Sequence, residues 1–341
     1  MVRPCLCHLP SSNWDANTMM PILSVCIPNY NHGAVLGETL TSVLSKNVTA
    51  NLDDVEVLIS DNASTDNSLS IIAPWRSHPN LRVLEQPHTL PMSSHWNRVI
   101  QAAKANWVLV LSSDDILLPQ SLDTLKAVIK STEADAIFFE YDFLTPQGRV
   151  SKCPFYRNSA IILGEEQSKI FLKGNNFPLS ACLFRRKALE QLGGFDETKV
   201  FCTDWHAWLG LSARASKIIY IKEPLMLYRQ HEANETHRCI ENLSALKEVI
   251  AMKQDFINKN KVTDPDVLWG ALNNDVKLAH RYAEIMKSRQ LEQAYLHYQK
   301  QVTLLTNKLT SLRSTKPMPM TAPYPLPWGS EIIELANLAL K

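Results

Sequence analysis

Short apolar runs alternate with amphipathic segments along most of the chain after residue 21. Val, Ile and Leu dominate four of these runs, which predicts buried strands at 22–27, 55–60, 81–85 and 107–112. The segments between the runs carry apolar residues at helical spacing, and the first does so at Val35, Leu36, Leu40, Val43 and Leu44. This alternation predicts an α/β fold with a mostly parallel central sheet.

A looser version of the pattern continues to about residue 237 and then changes. Three further strands are predicted at 136–143, 181–184 and 218–222. Beyond residue 238 helical spacing prevails, and a proline-rich stretch begins at residue 313. We therefore divide the chain into a loose lead-in at 1–20, an α/β domain at 21–237, a helical extension at 238–312, and a linker with a terminal helix at 313–341.

An apolar seam near the end of the helical extension has two explanations. Its residues recur at alternating spacings of four and three: Leu291, Tyr295, Tyr298, Val302, Leu305, Leu309 and Leu312. Such a seam is typical of a coiled coil, which here would make a homodimer. It also suits a helix folded back against the preceding helix or against the core. We favour that hairpin because the seam spans only about three heptads.

Composition places the protein among ordinary globular proteins of one large domain or two. The 341 residues are 45% hydrophobic and 20% charged. The net charge of +1 gives no indication of nucleic-acid binding. Seven scattered cysteines without paired spacing, a poor candidate for an export signal and no run of about 20 apolar residues predict a cytoplasmic protein.

Polar loops follow three of the predicted strands. Residues 28–31 follow the first, 61–66 the second, and Asp114 and Asp115 the fourth. In a parallel sheet these ends lie at one edge, which is where such folds bind ligands. Two adjacent carboxylates repel each other beside an apolar strand, so a metal ion is one explanation for Asp114 and Asp115. The first turn of a helix capped by a serine is the other.

The ordered motifs resemble those of family 2 glycosyltransferases. The resemblance rests on Val25–Asn31, Ile59–Asp66 and Leu111–Asp115, and extends over about 20–235. It implies an A-type glycosyltransferase fold with a Rossmann-like nucleotide-binding half at 21–120 and an acceptor half at 121–237. It also implies a nucleotide-sugar donor, a divalent metal (Mn²⁺ or Mg²⁺) and inversion at the anomeric carbon.

The resemblance also implies a metal site and a nucleotide-sugar site. Asp114 matches the metal-binding aspartate, Asp115 flanks it, and His231 would add a contact; Ser112 stands where another aspartate is usual, which affects metal use. The nucleotide-sugar contacts would come from Pro28, Tyr30, Asn31, Asp61, Asn97, Arg98, Ser113 and Asp114. Turn formation is the alternative for Asp61, and a solvated helix position is the alternative for Arg98.

The acceptor side should supply a base for the acceptor hydroxyl. Asp204 matches the aspartate of the family's Glu-Asp pair, and Thr203 replaces the Glu. The alternative is an acidic residue in a first helical turn. Arg229 is a diphosphate candidate, and Trp205 could stack on a sugar, although core packing is as good an explanation for the tryptophan.

The sequence therefore predicts an inverting glycosyltransferase that moves a sugar from a nucleotide donor, by default a UDP-sugar, to a hydroxyl of a glycan, a lipid-linked acceptor or a protein. With a lipid-linked acceptor, the protein would act peripherally at the inner membrane face. Two alternatives are a sugar nucleotidyltransferase, which should carry a basic Gly-rich loop after the first strand, and a non-catalytic relative that binds a nucleotide sugar.

Overall fold

The computed structural model describes residues 20–45, 52–230, 235–314 and 333–334. Strands and helices alternate along the chain as far as residue 229, and helices dominate its last part. The strands are β1 Leu23–Asn29, β2 Val55–Asp61, β3 Leu81–Glu85, β4 Trp107–Val110, β5 Ile116–Leu117, β6 Ala136–Thr145, β7 Gly148–Val150, β8 Ala160–Leu163, β9 Cys182–Arg185, β10 Lys217–Arg229 and β11 Ile333–Glu334. The helices are α1 Gly33–Leu44, α2 Ser68–Ile72, α3 Met92–Gln101, α4 Ser121–Lys130, α5 Gly164–Lys173, α6 Arg186–Leu192, α7 Thr203–Arg214, α8 Glu235–Glu241, α9 Ser244–Lys259, α10 Pro265–Ser288 and α11 Glu292–Ser314.

One sheet contains all the described strands, in the order β11-β8-β10-β6-β9-β4-β1-β2-β3, with β5 and β7 attached to β10 and β6. Strands β1 to β4 are mutually parallel, and β6 and β10 run in the same direction as these four. Strands β8 and β9 run the opposite way. The predicted α/β fold with a mostly parallel sheet is confirmed.

The central strands are buried because helices cover both faces of the sheet. All seven residues of β1 and of β2 are buried, as the continuous apolar runs predicted. Strand β10 is longer than predicted and continues past Pro224 to Arg229. Its pairing with β6 changes register on either side of Pro224, and such irregularities let a sheet accommodate a residue that has no N–H.

The helical extension forms a second apolar cluster beside the sheet domain. Tyr298, Val302 and Leu305 of α11 are buried in this cluster together with Tyr282 of α10. Helices α10 and α11 therefore pack as the predicted hairpin, although Leu291 at the start of the seam is 40% exposed. None of the helices in the described part of the chain combines the length and hydropathy that a membrane crossing requires.

One prediction for the chain's end is wrong at the two residues described there. Ile333 and Glu334 form β11 against β8, where the sequence predicted a terminal helix. A β-branched pair such as Ile332-Ile333 suits a strand edge as well as a helix, so helical spacing alone was a weak guide.

Candidate active site

The carboxyl ends of β1, β2, β4 and β10 lie at one edge of the sheet because these strands run in the same direction. Strand β9 runs the opposite way, so the residues just before it, including Ser180, reach the same edge. The loops after the four strands therefore meet the loop that precedes β9. This topology brings most of the predicted site residues together.

Asp61 joins the loops after β1 and β2. It pairs in register with Asn29, whose Nδ2 donates to Asp61 Oδ1 across 2.9 Å. The backbone N–H of Ser64 donates to Oδ2 across 2.9 Å, and the Asp61 residue is only 1% exposed. Both carboxylate oxygens therefore hold the loop, which is the turn-forming role considered as an alternative. Base recognition by Asp61 stays a prediction.

The three residues of the first loop differ in their surroundings. Pro28 is buried within β1 opposite Ser60, whereas Tyr30 is 45% exposed. Asn31 adopts a left-handed backbone conformation (φ 56°), which asparagine tolerates better than most residues. Its Oδ1 accepts a hydrogen bond from the Thr65 N–H across 2.8 Å, so Asn31 ties the first loop to the second.

Asp115 is a structural carboxylate at this edge. It is 1% exposed, Ser180 Oγ donates to its Oδ2 across 2.6 Å, and the Arg229 N–H donates to its Oδ1 across 2.9 Å. Burial, followed by the neighbouring Asp114 charge, raises the pKa of Asp115 well above its ordinary value. Both oxygens accept hydrogen bonds within the protein, and a direct metal contact by Asp115 stays a prediction.

Arg229 fixes the position of the Asp114 loop. Its Nε donates to the Asp114 carbonyl oxygen across 2.8 Å, and its Nη2 lies 2.9 Å from Oε2 of Glu38 on α1. The guanidinium group thus makes contacts within the protein, and the diphosphate contact of Arg229 stays a prediction. Sequence reasoning did not identify Glu38, since nothing in its local pattern marks it as a partner of a residue 191 positions away.

The serines before Asp114 are tied to neighbouring loops. Ser113 is 2% exposed, and its Oγ lies 2.8 Å from Nδ1 of His32. The Ser112 N–H donates to Ser180 Oγ across 2.9 Å. Sequence reasoning missed His32 and Ser180. His32 directly follows the Asn-Tyr-Asn loop and could have been found from that adjacency, whereas Ser180 has no local signal.

The side chains present suit a metal ion that takes most of its ligands from phosphate and water. Among the described residues no group of three or more His, Cys, Asp or Glu side chains is placed to hold a metal ion. Asp114, which matches the metal-binding aspartate of the family, stays the predicted ligand. Magnesium is commonly bound by one or two carboxylates together with substrate phosphates and waters. His231, the other predicted ligand, lies outside the described residues.

Asp204 occupies the second position of α7, on the acceptor side of the sheet edge. The Trp205 N–H donates to its Oδ1 across 2.6 Å, and Asn175 Nδ2 donates to its Oδ2 across 3.4 Å. Burial raises the pKa of Asp204 to about 6 in spite of these hydrogen bonds. A carboxylate with this pKa is suited to accept a proton near neutral pH. Sequence reasoning did not identify Asn175.

Two tyrosines, Tyr141 and Tyr228, are influenced by the charges of both Asp115 and Asp204. The rings of Tyr141 on β6 and Tyr228 on β10 are 5.9 Å apart and nearly perpendicular. Burial is the largest cause of the raised pKa of each phenol, and the charges of Asp115 and Asp204 raise both further. Asp115 and Asp204 therefore both lie near this pair of rings.

Three predicted site residues lie elsewhere or are engaged in packing. Asn97 Nδ2 donates to the carbonyl oxygen of Phe195, and Asn97 Oδ1 accepts from its N–H, so this side chain holds the turn after α6. Arg98 is exposed in the last turn of α3. Trp205 is 4% exposed and donates Nε1–H to the Phe171 carbonyl oxygen across 2.7 Å. Both side chains are engaged in contacts within the fold, and the roles of Asn97 in nucleotide binding and of Trp205 in sugar stacking stay predictions.

Residues 24–193 match the family model described as Glycosyl transferase family 2. The chain is 25% identical over 280 residues to an uncharacterized protein of Mycobacterium tuberculosis, covering 76% of this chain and 84% of that protein. An uncharacterized glycosyltransferase of Nostoc is 26% identical over 227 residues, or 62% of this chain and 66% of the relative. The abequosyltransferase RfbV of Salmonella typhimurium is 33% identical over 112 residues, or 32% of this chain and 33% of RfbV.

The fold is similar to that of TarS residues 1–349 from S. aureus, solved in complex with UDP-GlcNAc. The TM-score is 0.66 at 17% identity, and the match covers 86% of this chain and 84% of the TarS chain. The motifs, the fold and the family model agree. The chain belongs to the family 2 glycosyltransferases and is a transferase enzyme.

Proposed function

We propose that the protein is an inverting glycosyltransferase that transfers a sugar from a nucleoside diphosphate to a hydroxyl acceptor. The observation that carries this proposal is that Asp204, whose pKa is raised to about 6, and Asp114 both lie near Tyr228 and raise its pKa. One carboxylate is thus available to take a proton while the Asp114 loop receives the diphosphate.

In this mechanism Asp204 acts as the general base. It accepts the proton of the acceptor hydroxyl while the hydroxyl oxygen bonds to the anomeric carbon and the nucleoside diphosphate leaves from the opposite face. Asn175 Nδ2 and the Trp205 N–H orient the carboxylate, one at each oxygen. Attack from the side opposite to the leaving group inverts the configuration of the anomeric carbon.

Asp114 would hold a divalent cation, Mn²⁺ or Mg²⁺, through its carboxylate. Such a cation, when bound, would neutralise charge that develops on the departing diphosphate. Arg229 and Asp115 serve this step indirectly, because their contacts fix the backbone that carries Asp114. Asp61, Tyr30 and the buried Pro28 remain our candidates for the pocket of the nucleotide base, with Asn31 and Ser113 supporting its loops.

The donor is proposed to be a UDP-sugar. TarS, which shares the fold, was solved with UDP-GlcNAc and with UDP. The acceptor is proposed to be a glycan, a lipid-linked sugar or a protein, and a lipid-linked acceptor would bring the protein to the inner membrane face from the cytoplasm. These assignments follow the family resemblance.

The non-catalytic alternative drew on Ser112 and Thr203, which replace acidic residues of the family pattern. Thr203 is 1% exposed, and its Oγ1 donates to the Lys199 carbonyl oxygen across 2.8 Å. Ser112 contacts Ser180 through its N–H and its hydroxyl. Both residues are thus integrated into the fold around an intact Asp114 and Asp204, which favours a working enzyme.

Thermal denaturation of the protein with UDP, GDP, CDP and dTDP, each with and without Mn²⁺, tests the proposed donor site. A ligand that binds the native state raises the melting temperature by mass action, and no acceptor is needed. We expect UDP to stabilise the protein and Mn²⁺ to increase the effect. No stabilisation by any of the four diphosphates would contradict the proposal and favour the non-catalytic alternative.

A further inference from the structure

Glu248 of the helical extension accepts hydrogen bonds from the segment that leads into α7, the helix that carries Asp204. This residue lies on α9, and its Oε1 accepts hydrogen bonds from the N–H groups of Phe201 (2.8 Å) and Cys202 (2.7 Å). The Val200 N–H donates to the same carboxylate, at 3.1 Å from Oε2. One carboxylate from outside the sheet domain therefore binds three successive backbone N–H groups.

These N–H groups directly precede α7. Cys202 is the residue before the first helical position, and Asp204 follows two residues later. Backbone N–H groups at a helix start attract a carboxylate because the helix dipole adds to the hydrogen bonds. We propose that Glu248 is a positioning residue for Asp204, so that the helical extension completes the active site of the sheet domain. This inference rests on the proposed role of Asp204.

A second set of contacts from the extension reaches Trp205, the residue after Asp204. Lys253, one turn along α9, is buried with its Nζ 5.0 Å from the centre of the Trp205 ring, and Trp205 is the residue after Asp204. Lys253 Nζ also donates to Asp275 Oδ1 across 2.6 Å and to Asn274 Oδ1 across 2.9 Å, both on α10. The ammonium group therefore locks α9, α10 and the first turn of α7 together.

Asn274 of α10 also lies next to the loop that contains Asn175, a hydrogen-bond partner of Asp204. A Cβ placed on Gly174 would lie 3.3 Å from Nδ2 of Asn274, and Gly174 precedes Asn175, the hydrogen-bond donor to Asp204 Oδ2. The extension thus borders both partners of the Asp204 carboxylate, Asn175 and the Trp205 N–H. A general base needs this control, since a misplacement of about 1 Å can cost about 100-fold in rate.

The segment between α6 and α7 is also held from the nucleotide-binding half. Asn97 of α3 bonds the Phe195 backbone through both the nitrogen and the oxygen of its side-chain amide. Ser94 Oγ donates to Glu197 Oε2 across 2.7 Å. The segment before α7 is therefore held by hydrogen bonds from α3 and from α9. Removal of Glu248 frees the end closest to Asp204 while the α3 contacts remain.

The test compares Glu248→Ala with Glu248→Gln, which keeps an acceptor oxygen, and with Asp255→Ala. Asp255 is a matched control because it also lies on α9 and pairs with Lys259 on the exposed face of that helix. The first readout is the pKa of the Asp204 carboxyl, measured by carbon NMR from the signal that disappears in Asp204→Asn. The second is the hydrolysis of UDP-GlcNAc, followed as UDP release.

In Glu248→Ala we expect α7 to loosen at its start and Asp204 to gain water, so that its pKa falls from about 6 toward its ordinary value near 4. UDP release should fall by about 100-fold with an unchanged KM for UDP-GlcNAc. Glu248→Gln and Asp255→Ala should keep the wild-type pKa and a rate within about threefold of wild type. If Glu248→Ala does not fold, Glu248→Asp, one methylene shorter, should show the same changes.

An unchanged Asp204 pKa in the folded Glu248 variant would overturn the inference. The pKa readout needs no turnover, so it separates this inference from the proposed function. If Asp204→Asn hydrolysed UDP-GlcNAc like the wild type, the base assignment would fail even though Glu248 positions the residue. If Asp204→Asn were inactive and Glu248→Ala fully active with the wild-type pKa, the inference alone would fail.

Discussion

The backbone N–H of Arg229 donates a hydrogen bond to the buried carboxylate of Asp115 across 2.9 Å. Arg229 is the last residue of β10, and Asp115 follows the end of β4, so this bond joins the acceptor half to the nucleotide-binding half. The same arginine holds the Asp114 carbonyl oxygen through Nε. We therefore propose separate tasks for the two adjacent aspartates, Asp115 inside the fold and Asp114 as the metal ligand.

This division of tasks predicts different effects of the same substitution. Asp114→Asn should abolish the increase in UDP affinity that Mn²⁺ provides, because a carboxylate ligand is lost. Asp115→Asn should keep that increase and change the free energy of unfolding by less than about 1 kcal/mol, since an amide still bonds Ser180 or the Arg229 N–H. Calorimetric titration with UDP and urea unfolding measure the two effects. The opposite pattern would make Asp115 the metal ligand.

Asp115→Ala provides the control for the buried role. It leaves Ser180 Oγ and the Arg229 N–H without their acceptor, so it should destabilise the protein by about 1–3 kcal/mol. A variant as stable as the wild type would show that these contacts contribute little.

Arg229→Lys should weaken UDP binding by about 10-fold, because a single ammonium group cannot replace the guanidinium contacts with the Asp114 carbonyl oxygen and with Glu38. Glu38→Gln is the matched control. The Glu38 side chain is 57% exposed, and surface ion pairs contribute at most about 1 kcal/mol, so the change in Kd should stay below about fivefold. An equal loss of UDP affinity in the two variants would show that the ion pair between Arg229 and Glu38 is what supports UDP binding.

The pH dependence follows from Asp204. Because the base must be ionised, turnover should fall about tenfold per pH unit below about pH 6. Stability should follow the opposite trend. The pKa of the folded state, about 6, exceeds the unfolded value near 3.9, so the folded protein binds more protons between these values. The contribution of this group is therefore fully present below about pH 4 and is lost as pH rises through 6, amounting to at most about 3 kcal/mol.

Denaturant unfolding of the wild type and Asp204→Asn between pH 4 and pH 8 measures this term. The neutral amide should make the variant more stable than the wild type above pH 6, with the difference shrinking toward pH 4. A difference that does not vary with pH would mean that the folded-state pKa of Asp204 is ordinary.

Trp205→Phe should destabilise the protein by about 1–3 kcal/mol, because the Phe171 carbonyl oxygen loses the indole N–H inside the core. Urea unfolding measures the change. A role in holding the acceptor sugar would instead leave the free energy of unfolding unaltered and impair only the transfer reaction.

The sequence predicted the features that depend on local pattern and on parallel topology. The apolar runs located strands β1 to β4 within a few residues, and polar loops at their ends correctly placed Asp61, Asn31 and Asp114 at one edge of the sheet. This worked because strand direction alone decides which loops meet. The family motifs added Asp204, whose charge, like that of Asp115, raises the pKa of Tyr141 and of Tyr228.

The contacts that assign tasks within the site could not be predicted, since they join residues far apart in sequence. Ser180 and Arg229 donate hydrogen bonds to the buried carboxylate of Asp115, and they lie 65 and 114 residues away from it in sequence. Asn97 lies at the motif position expected for nucleotide binding. Both its amide nitrogen and its amide oxygen form hydrogen bonds with the backbone of Phe195, 98 residues later. Glu248 had no local signal, because its partners are backbone N–H groups of another element.

The most direct test of the central claim is nucleotide-sugar hydrolysis by the wild type and by Asp204→Asn, with UDP-GlcNAc, UDP-glucose and UDP-galactose in the presence of Mn²⁺. Release of UDP gives the rate, and calorimetric titration with UDP gives the affinity. We predict that the wild type hydrolyses at least one donor and that Asp204→Asn loses about 100- to 10,000-fold in rate with an unchanged Kd for UDP. A variant that keeps the wild-type rate would contradict the assignment of Asp204 as the base of a glycosyltransferase.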